Sequence, residues 1–175
     1  RSELVQEILG LLAQERLISI VGMTGSGKTD RAAAVAHRAL FDGELELESA
    51  SWFSLDGLTE VDALRVRIAL SLGLDPRRCH SDEQLAQGIG DGRALFIFDG
   101  AEALLGDPLT RTRFQWLVNT LLTERRELHF LIATRARLGE MAPSSGDVAA
   151  AREVVVRVEP LRSPSDRDTF IAAAG

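Results

Sequence analysis

The chain has 175 residues, with 20 Lys and Arg against 26 Asp and Glu, a formal net charge of -6 and 45% hydrophobic residues. This composition is typical of one soluble, core-forming domain and disfavours disorder. The net negative charge disfavours direct binding to nucleic acid or to anionic lipid. No run approaches the roughly 20 apolar residues that a membrane-spanning helix needs.

The N-terminal part of the chain predicts a helix, a strand and a second helix. Apolar residues at helical spacing predict an amphipathic helix over residues 3–14, with Ser2 as its N-cap. The β-rich run Leu17–Val21 predicts a strand that ends at Gly22. A glycine-bearing loop follows, and an alanine-rich segment that reaches about Leu40 predicts the second helix.

The middle of the chain predicts a second strand and a third helix. The strand covers Ser51–Leu55, and the periodicity of residues 60–72 predicts a helix that is closed by Gly73. Residues 75–92 are rich in Asp, Arg, Gln and Gly. There we expect a loop with one short helix around Glu83–Gln87.

The C-terminal part predicts three more strands. Ala94–Phe98 is apolar without alternation, the pattern of a strand that is covered on both faces, and Asp99 follows it. A longer helix is predicted from about Arg111 to Arg126, and strands are predicted over Leu128–Ala133 and Val154–Val158. Short apolar strands that alternate with helices favour an α/β fold with a parallel sheet and helices on both faces.

The loop after the first strand matches a phosphate-binding motif. The motif GxxxxGK[ST] is complete from Gly22 to Thr29 and has the required strand before it and helix after it. Its glycines let consecutive amides point inward, and the helix adds its positive dipole end. The motif predicts the three-layer fold of P-loop NTPases, with a five-stranded, mostly parallel sheet. The predicted nucleotide-binding residues are Gly22, Met23, Thr24, Gly25, Ser26, Gly27, Lys28, Thr29 and Asp30.

Two of these positions predict particular contacts. Lys28 is expected to bridge the β- and γ-phosphates, and the Thr29 hydroxyl to take one position around Mg²⁺. A divalent ion beside a triphosphate also needs a carboxylate partner, and Asp99 ends a buried strand where such a group belongs. The predicted metal-site residues are therefore Thr29 and Asp99.

Hydrolysis needs a group that orients or deprotonates water and a positive charge for the transition state. The residue after Asp99 is Gly100, so the adjacent second acid of many hydrolysing P-loop enzymes is absent. Glu102 either reaches the attacking water or remains a solvated residue at the start of a helix, and both interpretations stay open. Arg135 is the candidate γ-phosphate sensor if its strand lies beside the first strand, and Arg137 is a weaker candidate. The predicted catalytic residues are Lys28, Asp99, Glu102 and Arg135.

Several segments together carry a family resemblance. They are the run from Arg1 to Thr29, the strand Ser51–Asp56 with the later Leu72–Leu74, the segment Phe96–Leu104, the segment Ile132–Leu138, and Glu159–Leu161. In this order they resemble the nucleotide-binding domain of STAND-class P-loop ATPases, close to the NB-ARC and AfsR-like regulators. Phe96–Leu104 is similar to that family's LVLDNxEHL Walker B region, and Ile132–Leu138 to its TSRxxL sensor.

The resemblance implies a signalling switch that uses ATP, ADP and Mg²⁺. In that class ADP holds a closed monomer, and exchange for ATP permits opening and homo-oligomerisation. Sensor and effector domains, a helical lid and a winged helix accompany the nucleotide-binding domain. The resemblance also implies that Arg1 represents a segment near the adenine. The preference for adenine rests on this resemblance alone, because no Asn-Lys-x-Asp guanine-reading motif is present.

The resemblance also sets the expected domain boundaries. Residues 1–160 are expected to form the nucleotide-binding domain, and 161–175 to begin a truncated helical lid domain, so that the chain is a fragment of a longer protein. No signal-like segment is present, and the lone Cys79 cannot form an internal disulfide. We therefore expect a cytoplasmic location, with no direct nucleic-acid or membrane binding by this fragment.

Three functional interpretations remain open. The first is a slow Mg²⁺-dependent ATPase switch, and the second is a module that binds nucleotide without turnover. The third is a small-molecule or nucleotide kinase, which would need a mobile lid with several arginines. The candidates for such a lid, Arg111, Arg113, Arg125 and Arg126, fall in or beside a helix that looks amphipathic.

Overall fold

A computed structural model describes residues 2–139 and 151–160, and these contain one five-stranded sheet. The strands are β1 Leu17–Gly22, β2 Ser49–Ser54, β3 Ala94–Asp99, β4 Leu128–Thr134 and β5 Val154–Val158. They lie in the order β2-β3-β4-β1-β5, and every pair is parallel. The structure thus confirms the predicted α/β fold class.

Six α-helices lie in the described residues, with the first before β1 and the other five between strands. They are α1 Ser2–Leu12, α2 Lys28–Phe41, α3 Val61–Ser71, α4 Asp82–Gly88, α5 Glu102–Leu105 and α6 Pro108–Glu124, with a 3-10 turn at Pro76–Arg78. The two faces of the sheet bury separate apolar clusters. Ile8 of α1 and Val35 of α2 pack with Ile20 on one face. Leu64 of α3 and Leu117 of α6 pack with Phe96 on the other, which gives the predicted three layers.

The central strands are covered on both faces, which the sequence predicted for β3 from its apolar run. Every residue of β4 is buried, and so are the first five residues of β1 and of β3. Strand β4 lies between β1 and β3 and pairs with both, so strands that are far apart in the sequence are neighbours in the middle of the sheet. Arg135 therefore follows a strand that lies beside β1, as the role of a γ-phosphate sensor requires.

The element boundaries differ from the sequence expectation in a few places. Helix α1 begins at Ser2, so the predicted N-cap is its first residue, and the helix ends at Leu12 rather than at residue 14. Helix α6 begins earlier than expected because Asp107 Oδ2 accepts a hydrogen bond of 2.9 Å from the Thr110 N–H, and Pro108 suits a first turn. The expected short helix in residues 75–92 is confirmed as α4.

Two short elements escaped the sequence analysis. Helix α5 covers only Glu102–Leu105, which is too short to show a periodicity. The 3-10 turn Pro76–Arg78 is capped by the Asp75 side chain, which accepts from Arg77 N–H. The predicted boundary at residue 160 and the expected lid segment 161–175 stay predictions, because residues 161–175 lie outside the described part of the chain.

Candidate functional site

A cavity of about 390 Å³ opens at the carboxyl ends of the strands. Parallel α/β sheets place ligands at this edge. The cavity is lined by Thr24, Gly25, Gly27, Lys28, Thr29, Asp30, Asp56, Asp99, Gly100, Glu102 and Arg135. The structure therefore brings together all four predicted catalytic residues and both predicted metal-site residues.

The loop between β1 and α2 has the conformation that its glycines allow. Gly25 has φ +77° and Gly27 has φ +78°, a left-handed conformation that other residues adopt only at a cost. Gly27 is the N-cap residue of α2, and no side chain caps this helix. The first amides of α2 are thus available to a ligand, and a helix N-terminus of this kind favours an anion.

Two cationic side chains bind the loop carbonyls. Lys28 Nζ donates to the Met23 carbonyl at 2.9 Å. Arg31 Nη1 donates to the carbonyls of Ser26 at 2.6 Å and Gly27 at 3.1 Å. The Arg31 bonds hold these carbonyls and so help to fix the loop. Sequence analysis missed Arg31 because it lies beyond the motif, although an arginine one turn into the helix is within reach of the loop.

Three of the predicted nucleotide-binding residues do not line the cavity. Gly22 lies at the end of β1, where an added Cβ would come within 2.6 Å of the Val158 carbonyl oxygen and 2.7 Å of Ser26 Oγ. Glycine is therefore needed there for close packing. Met23 is 69% exposed, and the Ser26 side chain is buried. Arg1 lies outside the described residues.

Thr29 and Asp99 both line the cavity and contact each other. Thr29 Oγ1 lies 3.0 Å from each Asp99 carboxylate oxygen and donates to that carboxylate. Burial raises the pKa of Asp99, and the charges of Asp56 and Glu102 raise it further. The Thr29 hydrogen bond and the Lys28 charge act in the opposite direction. The electrostatics of the site therefore favour a positive partner beside Asp99.

A hydroxyl and a carboxylate side by side fit Mg²⁺, which selects oxygen ligands and is held by one or two carboxylates together with substrate phosphates. Within residues 2–139 and 151–160, no group of three His, Cys, Asp or Glu residues is arranged to hold a metal ion. Thr29 and Asp99 would hold the ion together with phosphate oxygens and water. They therefore fit a metal that arrives with its nucleotide.

Asp56 is a cavity residue that the sequence analysis did not identify. It follows the end of β2, where Ser54 pairs with Asp99 of β3, and the Leu55 N–H donates to the Asp99 carbonyl at 2.7 Å. The pairing of β2 with β3 thus brings Asp56 beside Asp99. An acid just after a predicted strand was the available signal, but its importance depends on the strand order, which was not read from the sequence.

Glu102 and Arg135 line the same cavity from different elements. Glu102 is half-buried at the first position of α5, and Arg135 is an exposed residue directly after β4. Arg137 does not line the cavity. The preference for Arg135 over Arg137 therefore agrees with the position of the cavity.

Three of the four arginines considered for a kinase lid contact other parts of the protein. Arg111 Nε donates to the Leu105 carbonyl at 3.1 Å. Arg113 pairs with Asp62 at 3.4 Å, and Arg125 pairs with Asp91 at 2.6 Å. None of these, nor Arg126, lines the cavity. The structure thus gives the kinase interpretation no support.

Among the helices described, none combines the length and the apolar character that crossing a bilayer requires. Cys79 is a buried, free thiol.

The fold of this chain is similar to that of several solved structures. No family model and no curated protein matches the chain. Among solved structures, the chain is similar to the Aeropyrum pernix ORC1 protein in complex with DNA, with a TM-score of 0.68, 17% identity and coverage of 99% of this chain and 49% of that one. It is also similar to AMPPCP-bound DnaA from Aquifex aeolicus, with a TM-score of 0.50, 22% identity and coverage of 90% and 45%.

A third likeness is to Drosophila ORC bound to poly(dA/dT) DNA and Cdc6, with a TM-score of 0.56, 12% identity and coverage of 98% of this chain and 30% of that one. These neighbours are AAA+ P-loop ATPases. The chain spans about half of the length of the first two. At such low identity the likeness establishes the P-loop NTPase fold.

Proposed function

We propose that this domain binds ATP and ADP with Mg²⁺ and hydrolyses ATP slowly. The observation that carries the proposal is the convergence of Lys28, Thr29, Asp99 and Arg135 on one cavity at the start of α2. Loop amides and Lys28 would hold the β- and γ-phosphates, while Thr29 and Asp99 would hold the metal. AMPPCP is an ATP analogue, so the fold likeness to AMPPCP-bound DnaA supports the choice of adenine nucleotide.

The charge of the cavity makes the binding metal-dependent. The side chains of Lys28 and Arg135 are positive, but four lining side chains are acidic: Asp30, Asp56, Asp99 and Glu102. A triphosphate is itself strongly negative, so these carboxylates would repel it in the absence of a cation. Mg²⁺ supplies the charge that neutralises the phosphate oxygens. We therefore expect tight binding only when the ion is present.

Slow hydrolysis is the chemistry that the lining residues support. Arg135 projects from the end of the strand beside β1, which is the position for a group that stabilises charge on the γ-phosphate. Glu102 is one carboxylate that could orient water. Residue 100, where many hydrolysing P-loop enzymes carry their second acid, is glycine, and we therefore expect turnover to be slow.

We further propose that the domain is the switch of a STAND-class regulator, because its sequence resembles NB-ARC and AfsR-like proteins. Its partners would be the other domains of the parent chain, namely a helical lid, a winged helix, and sensor and effector domains. ATP binding would favour a homo-oligomer. Because the chain has a net charge of -6, we propose that it makes no direct contact with nucleic acid or membrane. We also propose a cytoplasmic location.

A second candidate function is a nucleotide-binding module without turnover. The glycine at position 100 favours it, since an adjacent second acid is absent. In this case the nucleotide would act as a structural ligand that determines the oligomeric state. The two candidates share the binding site and differ only in the release of phosphate.

Melting and phosphate-release measurements test the proposal together. Mg-ATP and Mg-ADP should raise the melting temperature of the chain, because a ligand that binds only the folded state stabilises it. EDTA should abolish the increase, and the variant Lys28→Ala should reduce it. Phosphate release above the Lys28→Ala background would support the ATPase, and binding without release would support the second candidate. The absence of a melting shift with either nucleotide at millimolar concentration would refute both.

A further inference from the structure

The residue that follows Asp99 is Gly100, and a neighbouring carboxylate fills the space that a side chain at this position would need. Gly100 has φ +80°, a conformation that strains other residues. A Cβ added there would overlap Asp56 Oδ1 and would lie 3.0 Å from Asp56 Cγ. Glycine at this position therefore both permits the turn and leaves room for the Asp56 carboxylate.

The backbone fixes Asp56 in this place. The preceding residue, Leu55, is fully buried and donates its N–H to the Asp99 carbonyl at 2.7 Å. The Leu58 N–H donates to the Leu55 carbonyl at 3.0 Å, and Gly57 has φ +72°, as in the third residue of a type II turn. Asp56 thus projects from a tight turn that is hydrogen-bonded to the strand of Asp99.

We propose that Asp56 takes the role of the missing second acid and orients the water that attacks the γ-phosphate. This inference rests on the nucleotide binding proposed above. In the reaction the water oxygen bonds to the γ-phosphorus while the bond from that phosphorus to the β-γ bridging oxygen breaks. ADP leaves with the bonding electron pair, and the water proton passes to Asp56 and then to solvent or phosphate.

Asp56 is better placed for this task than Glu102. Asp56 extends from a turn whose backbone is hydrogen-bonded to the Asp99 carbonyl through the Leu55 N–H. Glu102 begins a helix of only four residues, and its side chain has one more rotatable bond than that of Asp56. Groups on rigid elements hold a reactant in a defined geometry more accurately. The three atoms nearest to a Cβ placed on residue 100, the position of the missing acid, all belong to Asp56.

Single-turnover hydrolysis of Mg-ATP by the purified chain tests the inference. The variants are Asp56→Asn, the comparison variant Glu102→Gln, and, as the control outside the cavity, Glu7→Gln on the exposed face of α1, since each replaces a carboxylate by an amide of the same size. Asp56→Asn should slow hydrolysis by about 100-fold, the typical contribution of a positioned acid or base. Its Mg-ATP affinity, measured by calorimetry, should stay close to the wild-type value. Glu102→Gln should slow hydrolysis less than Asp56→Asn does, and Glu7→Gln should hydrolyse ATP at the wild-type rate.

The outcomes separate this inference from the proposed function. An Asp56→Asn variant that hydrolyses ATP like the wild type overturns the role of Asp56 and leaves the ATPase intact. A wild type that binds Mg-ATP but releases no phosphate above the Lys28→Ala background also overturns that role, while binding stands. A wild type that does not bind nucleotide overturns the proposed function itself.

A second variant moves the carboxylate. Asp56→Gly should lose hydrolysis, and Asp56→Gly combined with Gly100→Asp should recover at least part of it. Asp is among the residues that best tolerate a left-handed backbone, and the removal of the Asp56 side chain frees the space. Recovery supports the equivalence of the two positions. A double variant that folds, binds Mg-ATP and is no more active than Asp56→Gly contradicts it.

Discussion

The two ends of the sheet use their charged residues in opposite ways. At the amino end, Arg16 Nη1 donates to the carbonyls of Leu122 at 2.8 Å, Arg125 at 3.0 Å and Leu128 at 3.4 Å. His129 is buried nearby. At the carboxyl end, four carboxylates and two cations line an open cavity. At the amino end a charged side chain hydrogen-bonds the protein's own backbone, and at the carboxyl end charged side chains line a cavity that a ligand can enter.

This difference shows which charges serve stability. The Arg16 guanidinium binds the Leu122 carbonyl in the last turn of α6, where a helix leaves carbonyls without partners inside the helix, and the Arg125 carbonyl just after it. At the cavity, burial and neighbouring acids raise the pKa of Asp99, so its charged form is disfavoured in the folded protein without a cation. We expect substitutions at the amino end to lower stability and substitutions at the carboxyl end to lower binding.

The largest expected effect on stability is at the amino end. Arg16→Ala removes the guanidinium donor from the carbonyls of Leu122, Arg125 and Leu128, of which Arg125 still accepts from the Leu128 N–H, and should cost about 2–3 kcal/mol of unfolding free energy. Urea unfolding measures this loss. Arg38→Ala is the control, because it breaks an exposed pair with Asp42 and should cost less than about 1 kcal/mol. Equal costs for the two variants would show that Arg16 does not stabilise this end of the sheet.

A pair of glycine substitutions, one in the phosphate loop and one in α1, should change the free energy of unfolding by smaller amounts. An added Cβ meets no atom within 4 Å at either Gly25 or Gly10, so steric contact does not distinguish them. Gly25 has φ +77° in the phosphate loop, and Gly25→Ala should cost about 1–2 kcal/mol and weaken nucleotide binding. Gly10 lies inside α1, and Gly10→Ala should stabilise by about 0.5–1 kcal/mol. Chemical denaturation measures both, and a change of the same sign in the two variants would contradict the comparison.

A smaller effect should come from Asp99. Because its pKa is raised in the folded protein, its contribution to stability is greatest at acid pH and falls as pH rises through the folded-state value. Asp99→Asn should therefore raise the melting temperature without nucleotide by about 1–3 °C at pH 7. Melting curves from pH 4 to pH 8 should show this advantage decline towards acid pH. An advantage that does not depend on pH would contradict the electrostatic origin.

His129 should give the opposite pH dependence, with the smallest effect. Burial, followed by the charge of Arg93, lowers its pKa. A base with a lowered pKa contributes stability that is present above its unfolded value of about 6.5 and is lost as pH falls. Wild-type stability should decline below that pH, and His129→Gln should make this decline shallower. Urea unfolding at pH 5 and pH 7.5 measures the difference, and an unchanged pH dependence in the variant would argue against it.

The sequence predicted most of the site because its strongest signals are local. The phosphate loop is a continuous motif, and apolar runs locate Asp99 and Arg135 at strand ends. The sequence did not predict that β4 pairs with β1, so the position of Arg135 at the cavity was expected only if that pairing formed. Asp56 was missed because its position depends on the pairing of β2 with β3 and on the room left by Gly100. Helix α5 was missed because four residues carry no periodicity.

Calorimetric titration of the purified chain with ATP and Mg²⁺ tests most directly whether the loop at the end of β1 holds a polyphosphate. We predict saturable binding of one nucleotide per chain, which weakens by at least about tenfold in Lys28→Ala, a loss of roughly 1.4 kcal/mol. Arg38→Ala should bind as the wild type does. Equal affinities for wild type and Lys28→Ala, or no heat at millimolar nucleotide, would contradict the proposed site.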